Sequence, residues 1–213
     1  MRVFLISAVV IVATALFAVA APKEDSRDEK AVATTEPKGL PLELRIVSEG
    51  ANWQLDTRGE QPFKFQQMIR EGEKSGALVP ATRVELQLEI RNTGISEIRI
   101  WVGGDDTLLS LDLQGTGPMM VSSKVKPTPG VVPPVVVTIP AGKSHKIPLT
   151  SLAHGFRNQA KHTYITEIGD YQLSATYKTA VSPAPSGSRR LAADFGEVIL
   201  KSAPIEFYVK RPS

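Results

Sequence analysis

Residues 84–94 read VELQLEIRNTG, and this stretch decides the fold class. Val84, Leu86, Leu88 and Ile90 alternate with Glu85, Gln87, Glu89 and Arg91. A period of two puts four aliphatic side chains on one face of a strand and four polar ones on the other. Asn92-Thr93-Gly94 then turns the chain, and Ile98, Ile100 and Val102 form the next apolar row.

The same period extends outward in both directions. Upstream, Leu42, Leu44 and Ile46 alternate with Glu43 and Arg45. Downstream, Gly103 to Asp106 is a turn signal, and Leu109, Leu111 and Leu113 follow it. Val135 to Ile139 is β-branched, Pro140 to Lys143 reads as a tight turn, and His145, Ile147 and Leu149 continue the alternation. Tyr171, Leu173, Ala175 and Tyr177 form another row, as do Val198 and Leu200, then Ile205, Phe207 and Val209. Gly and Pro make Gly115 to Pro134 a loop, and Ser182 to Arg190 a second one. Residues 151–167 fit either a helical turn or an irregular connection. Helical spacing occurs over Pro62 to Glu73, where Phe63, Phe65, Met68 and Ile69 support a short helix inserted between the first two strands.

About eight or nine short strands with Gly and Pro turns predict an all-β fold, an antiparallel sandwich with a short helical insertion, over residues 40–213. No βαβ alternation and no repeat of about 20–50 residues is visible, which argues against an α/β enzyme, a propeller or a solenoid.

The N-terminal region predicts export. Arg2 precedes an apolar run from Val3 to Ala20 that ends in Ala18-Val19-Ala20, the small-x-small pattern of a signal peptide cut after Ala20. An uncleaved membrane anchor is the alternative, because the run sits at the lower limit for spanning a bilayer. Residues 21–39 are rich in charge, Ala, Thr and Pro, and read as a flexible linker. The location expected is periplasmic or extracellular.

The strand ending in Asn92-Thr93-Gly94, the Ile139 to Lys143 turn and the stretch from Gly169 to Tyr177 together resemble small exported bacterial immunoglobulin-like proteins of unassigned function. More distantly they are similar to the proteinase-inhibitor domain family typified by the intracellular inhibitor of bacilli. The likeness covers roughly residues 80–180 and implies an immunoglobulin-like sandwich. The chain departs from that family in its signal segment, its 62–73 insertion and its 114–134 loop.

Composition removes several functions. The absence of cysteine excludes disulfides, thiolate metal sites, a blue-copper centre and a cysteine nucleophile. A formal charge of +3 with mixed signs gives no basic stripe, so no nucleic-acid partner is expected. His145, His154 and His162 lack the close spacing of a zinc site. Asp105, Asp106 and Asp112 supply too few oxygens for calcium and fit a hairpin turn better. Arg189-Arg190 makes a small basic spot. No Gly-x-Ser-x-Gly elbow is present.

The residues expected to bind are Trp101 and Arg99. Alternation points Trp101 away from the Ile98, Ile100 and Val102 face, beside Arg99 and Glu97, where an exposed indole could meet a sugar or a partner protein. Burial under a loop is the competing expectation for it, and Trp53 is equally open. The sequence therefore predicts an exported, non-enzymatic binding module without a cofactor. Its partner would be a protein or glycan of the cell envelope, with the 114–134 and 181–194 loops carrying recognition. A membrane contact is expected only if the signal segment stays uncleaved. A proteinase inhibitor presenting one loop, and an exported hydrolase with a spatially assembled site, are the alternatives.

Overall fold

The computed structural model describes residues 40–48, 53–123, 130–156, 159–192 and 194–212. The expected signal segment and linker lie outside the described residues. The elements begin with β1 (Leu42–Ser48), β2 (Trp53–Gln54), α1 (Pro62–Ser75), β3 (Arg83–Asn92), β4 (Ile98–Val102) and β5 (Leu108–Gly115). Next come β6 (Pro118–Ser122), β7 (Val135–Ile139), β8 (Ser144–Ser151), β9 (Ala153–His154) and β10 (Lys161–Ile165). The last are β11 (Gly169–Ser182), β12 (Arg190–Ala192), β13 (Phe195–Lys201) and β14 (Ile205–Lys210).

The first sheet pairs β1, β3 and β8 in that order, all antiparallel. The second is built on β11. One edge of β11 pairs with β5 and then β4, and the other with β14 and then β13. Strand β7 pairs with β4 at the outside. The pairings reproduce the A-B-E and C′-C-F-G sheets of an immunoglobulin-like sandwich, with β11 as strand F. The alternating residues of β3 do what their period demands. Val84, Leu86, Leu88 and Ile90 are buried, and they join Ile98, Ile100, Leu111, Leu113, Leu173 and Val198 in one core between the sheets. Tyr171 opens β11, buries its ring, and donates its hydroxyl to the Glu167 carbonyl at 2.8 Å. That bond fixes the corner by which the chain enters strand F.

Two sequence expectations need correction. The Gly103–Asp106 turn does not reverse the chain. Strands β4 and β5 run in the same direction along β11, so the segment is an excursion within one strand. Gly103 and Gly104 take positive φ there, at 66° and 75°, a conformation that L side chains rarely adopt. The excursion interrupts the ladder, and side chains of β11 replace its hydrogen bonds. Thr179 Oγ1 donates to the Trp101 carbonyl at 2.7 Å, and the Gly103 N–H donates to Tyr177 Oη at 3.4 Å. Second, the predicted loop from Gly115 to Pro134 contains β6, and the ambiguous 151–167 segment contains β9 and β10. These three strands form a separate small sheet, β6-β10-β9. Strand β9 has two residues, and PMMVS of β6 and KHTYI of β10 do not alternate apolar with polar, so no period of two marks them. Trp53, left open by the sequence, belongs to β2, which pairs parallel with β14, and its ring stacks on Phe207 at 4.0 Å.

The helical insertion is present as α1. Pro62 sits in its first turn, where a missing N–H costs nothing, and the helix ends at Gly76 in the left-handed conformation. Phe65, Ile69 and Gly72 make the buried stripe. Phe65 and Ile69 pack on Val121 and Tyr164 of the small sheet, forming a second core beside the sandwich. Burial pushes the Tyr164 hydroxyl up to about 12, and that hydroxyl donates to the Val79 carbonyl.

Candidate functional site

The β3–β4 and β11–β12 connections meet at one end of the sandwich. In immunoglobulin-like variable domains the equivalent loops carry recognition. Here they enclose an apolar groove of about 590 Å³, lined on its apolar sides by Leu40, Pro41, Ile95, Ile98, Pro183 and Pro185. Ile95 is 98% exposed at its lip. Beside the groove lies a polar hollow of about 450 Å³ that shares Glu97, Pro183 and Ala184 with it and adds Arg99, Ser182, Arg190 and Asp194.

Each loop is held by identifiable bonds. Asn92, fully buried, donates its amide to the carbonyls of Ser96 and Ile139 at 2.8 and 2.9 Å. Its Oδ1 accepts the Gly94 N–H at 2.9 Å. The turn that presents Ile95 is thus fixed from its own base. The β11–β12 loop folds back on β13. Ser188 donates its N–H and its hydroxyl to the Pro185 carbonyl, and the Glu197 N–H reaches the Arg189 carbonyl. Gly196 makes that return fit, because a Cβ there would stand 2.0 Å from Ser188 Oγ.

Arg99 and Trp101 lie on the outer face of the second sheet, bordering this end. The register places Arg99 against Ser182 on one side of β11, with Trp101 two residues further along β4. Arg99 donates to Ser182 Oγ at 2.8 Å and to Asp194 at 3.3 Å. Its guanidinium lies 5.4 Å from the centre of the Phe195 ring. Trp101 is half-buried, with Phe195 tilted against it at 5.2 Å. The structure therefore brings Arg99 and Trp101 together around Phe195, and the indole face is shared with a neighbouring ring. Of the two loops expected to carry recognition, the 181–194 segment lies at this site. Residues 124–129 of the other lie outside the described residues. Phe195, Ser182, Asp194 and Ile95 were not singled out from sequence. Ile95 had a usable signal, a lone isoleucine in a turn. Of the others, Ser182 ends β11, while Asp194 in the turn before β13 and Phe195 at the start of β13 reach Arg99 and Trp101 across β11.

None of the three histidines lines either hollow. His145 is on β8 opposite Ile90. His162 Nδ1 is 3.3 Å from the Val79 carbonyl. His154 is buried on β9, and burial is the first cause that holds its pKa below the ordinary 6.5, aided by the charges of Lys161 and His162. Among the described residues no three histidine or carboxylate side chains are placed to share a metal ion. Asp105 instead accepts the Val132 N–H at 2.9 Å, tying the approach to β7, and Asp112 accepts from Gln114. Arg189 lies 3.8 Å from Glu197.

His154 has a measurable consequence. Its folded pKa is depressed, so the stability it contributes is present above 6.5 and is lost as pH falls through the lower folded value. The melting temperature is expected to drop on acidification below 6.5, and His154→Gln is expected to flatten that slope. Equal slopes in both proteins would contradict the assignment.

No protein-family profile matches this chain, and no curated protein matches it. Among solved structures it is similar to a PapD-like domain of human CEP192, at 12% identity and a TM-score of 0.27 over 85% of this chain and 93% of that one. It is also similar to a structure described as "AvmM Catalyzes Macrocyclization in Alchivemycin A Biosynthesis", at 11% identity and a TM-score of 0.28 over 84% of this chain and 97% of that one.

Proposed function

We propose that this chain is an exported, non-enzymatic binding module. Its loop end takes an apolar side chain of a protein of the cell envelope. The observation that carries this reading is the groove beneath Ile95. An isoleucine left in water beside a proline-walled, apolar hollow has the character of an interface anchor, and the polar hollow next to it supplies a rim. Apolar walls favour a protein side chain over a sugar at this place, because hydroxyls there would lose their hydrogen bonds to water. Export is supported by the apolar run and small-x-small pattern of residues 3–20.

Site-specific photo-crosslinking from position 95 in intact cells tests the reading. A discrete adduct with one envelope protein is expected. Ile95→Asp, introduced into a domain that keeps its melting temperature, is expected to weaken binding of that protein by at least about tenfold, since a buried unpaired carboxylate opposes docking. Unchanged affinity would remove the groove from the function. Slowing of a secreted proteinase that survives Ile95→Asp would instead support the inhibitor alternative.

A further inference from the structure

The outer face of the second sheet carries a polar surface at the end remote from the loop groove. Gln114 on β5, Gln172 on β11 and Glu206 on β14 stand in one row, because Gln172 is the register partner of both others. Asp170 and Tyr208 are partners in the next row toward the strand ends. Ser174 and Asp112 are partners in the row on the other side. Glu206 and Tyr208, two residues apart, share the face, and Tyr208 is 46% exposed. Gln114, Asp170, Gln172, Glu206 and Tyr208 border a shallow depression of about 610 Å³. Its floor is firm, because on the inner face Tyr171 stacks on Phe207 at 5.7 Å and Phe207 on Trp53 at 4.0 Å.

We infer that this depression binds a neutral oligosaccharide of pyranose units lying across β5, β11 and β14. The side chains are already paired in amide–carboxylate couples. Gln172 Nε2 donates to Glu206 at 3.0 Å, and Gln114 Nε2 donates to Asp112 at 2.8 Å. Each couple keeps further amide hydrogens and carboxylate lone pairs open to a ligand. Hydroxyl groups both donate and accept, so they match such a mixed row. An apolar side chain would strip water from the row and return nothing. Strands lie about 4.8 Å apart, so neighbouring side chains of the Gln114, Gln172 and Glu206 row are spaced on the scale of one sugar ring. Tyr208 supplies the remaining element, a half-exposed aromatic ring on which the C–H face of a pyranose can lie. The outer face of sheet two thus holds a glycan site separate from the protein-binding groove.

The test is binding of the folded domain to a glycan array of plant, microbial and animal oligosaccharides, followed by titration with the strongest neutral oligosaccharide found. Wild type is expected to bind neutral glycans. Tyr208→Ala and Gln172→Ala are expected to weaken the titrated affinity by at least about tenfold each while far-UV circular dichroism stays unchanged. Tyr208→Phe keeps the ring and is expected to retain most of the affinity. Ile95→Asp is expected to leave glycan binding intact, so failure of one site is distinguishable from failure of the other. The inference is overturned if no neutral glycan is bound, if only charged ones are, or if binding survives both alanine variants.

Discussion

Asn92→Asp is expected to lower the stability of the domain by about 3 kcal/mol, although it exchanges one atom for another of nearly the same size. The native amide makes two donations, to the Ser96 and Ile139 carbonyls, from a site with no solvent exposure. A carboxylate there would face two carbonyl oxygens with lone pairs only. Protonating it restores one donor and leaves the other carbonyl unsatisfied, at about 1–3 kcal/mol for each buried group without a partner. Asn92 also joins the sheets. It ends β3 in the first sheet, while Ile139 ends β7 in the second. A loss of this size corresponds to a melting temperature lower by about 6–12 °C for a domain of this length. The sign with pH is a further check. Burial raises the folded pKa of the introduced acid, so the native state holds its proton more tightly than the unfolded one. The deficit is therefore expected to grow as pH rises through the folded pKa. Thermal unfolding across pH measures both effects, and a variant that melts with wild type would refute the clamp.

Phe65→Ala is expected to act on one part of the molecule. Phe65 is buried in the second core, edge-on to Tyr164 with ring centres 6.2 Å apart. Truncating a buried phenylalanine costs about 3–5 kcal/mol, from lost transfer energy and the cavity left behind. That core holds α1 to the β6-β10-β9 sheet, and its members are distinct from those of the sandwich core. Amide hydrogen exchange is expected to show lost protection in α1, β6 and β10, while β3, β8 and β11 retain theirs. Equal loss in both groups would show that the two cores unfold as one unit.

The candidate sites were legible only in fragments. Arg99 and Trp101 stood out because alternation alone turns them from the core. Their neighbours did not, since Ser182, Asp194 and Phe195 reach them from 80 or more residues away in sequence through β11. Tyr208 lies in a row whose pattern shows only its apolar members, Ile205, Phe207 and Val209. Its significance depends on Gln172 and Gln114, which meet it through two separate strand pairings. A period of two reports which face a residue takes. It carries nothing about which strand will lie alongside.

The features that follow from the chain alone are local. The alternation in residues 84–90 sets which side chains of β3 are buried, because a strand allows only two faces. Pro62, the apolar spacing after it and Gly76 set α1, because backbone preferences act within a few residues. The lack of cysteine removes whole classes of chemistry whatever the fold. Long-range packing supplied the rest. It turned the Gly103–Asp106 segment from a hairpin turn into an excursion within one strand, because Tyr177 and Thr179 of a distant strand supply the hydrogen bonds that the ladder loses there. It gathered β6, β9 and β10 into a sheet whose apolar side is completed by a helix far upstream in the chain. It set Ile95 over a groove made by three separated segments. In each case the deciding contact joins residues distant along the chain, and the free energy of such contacts is defined only once the fold has brought them together.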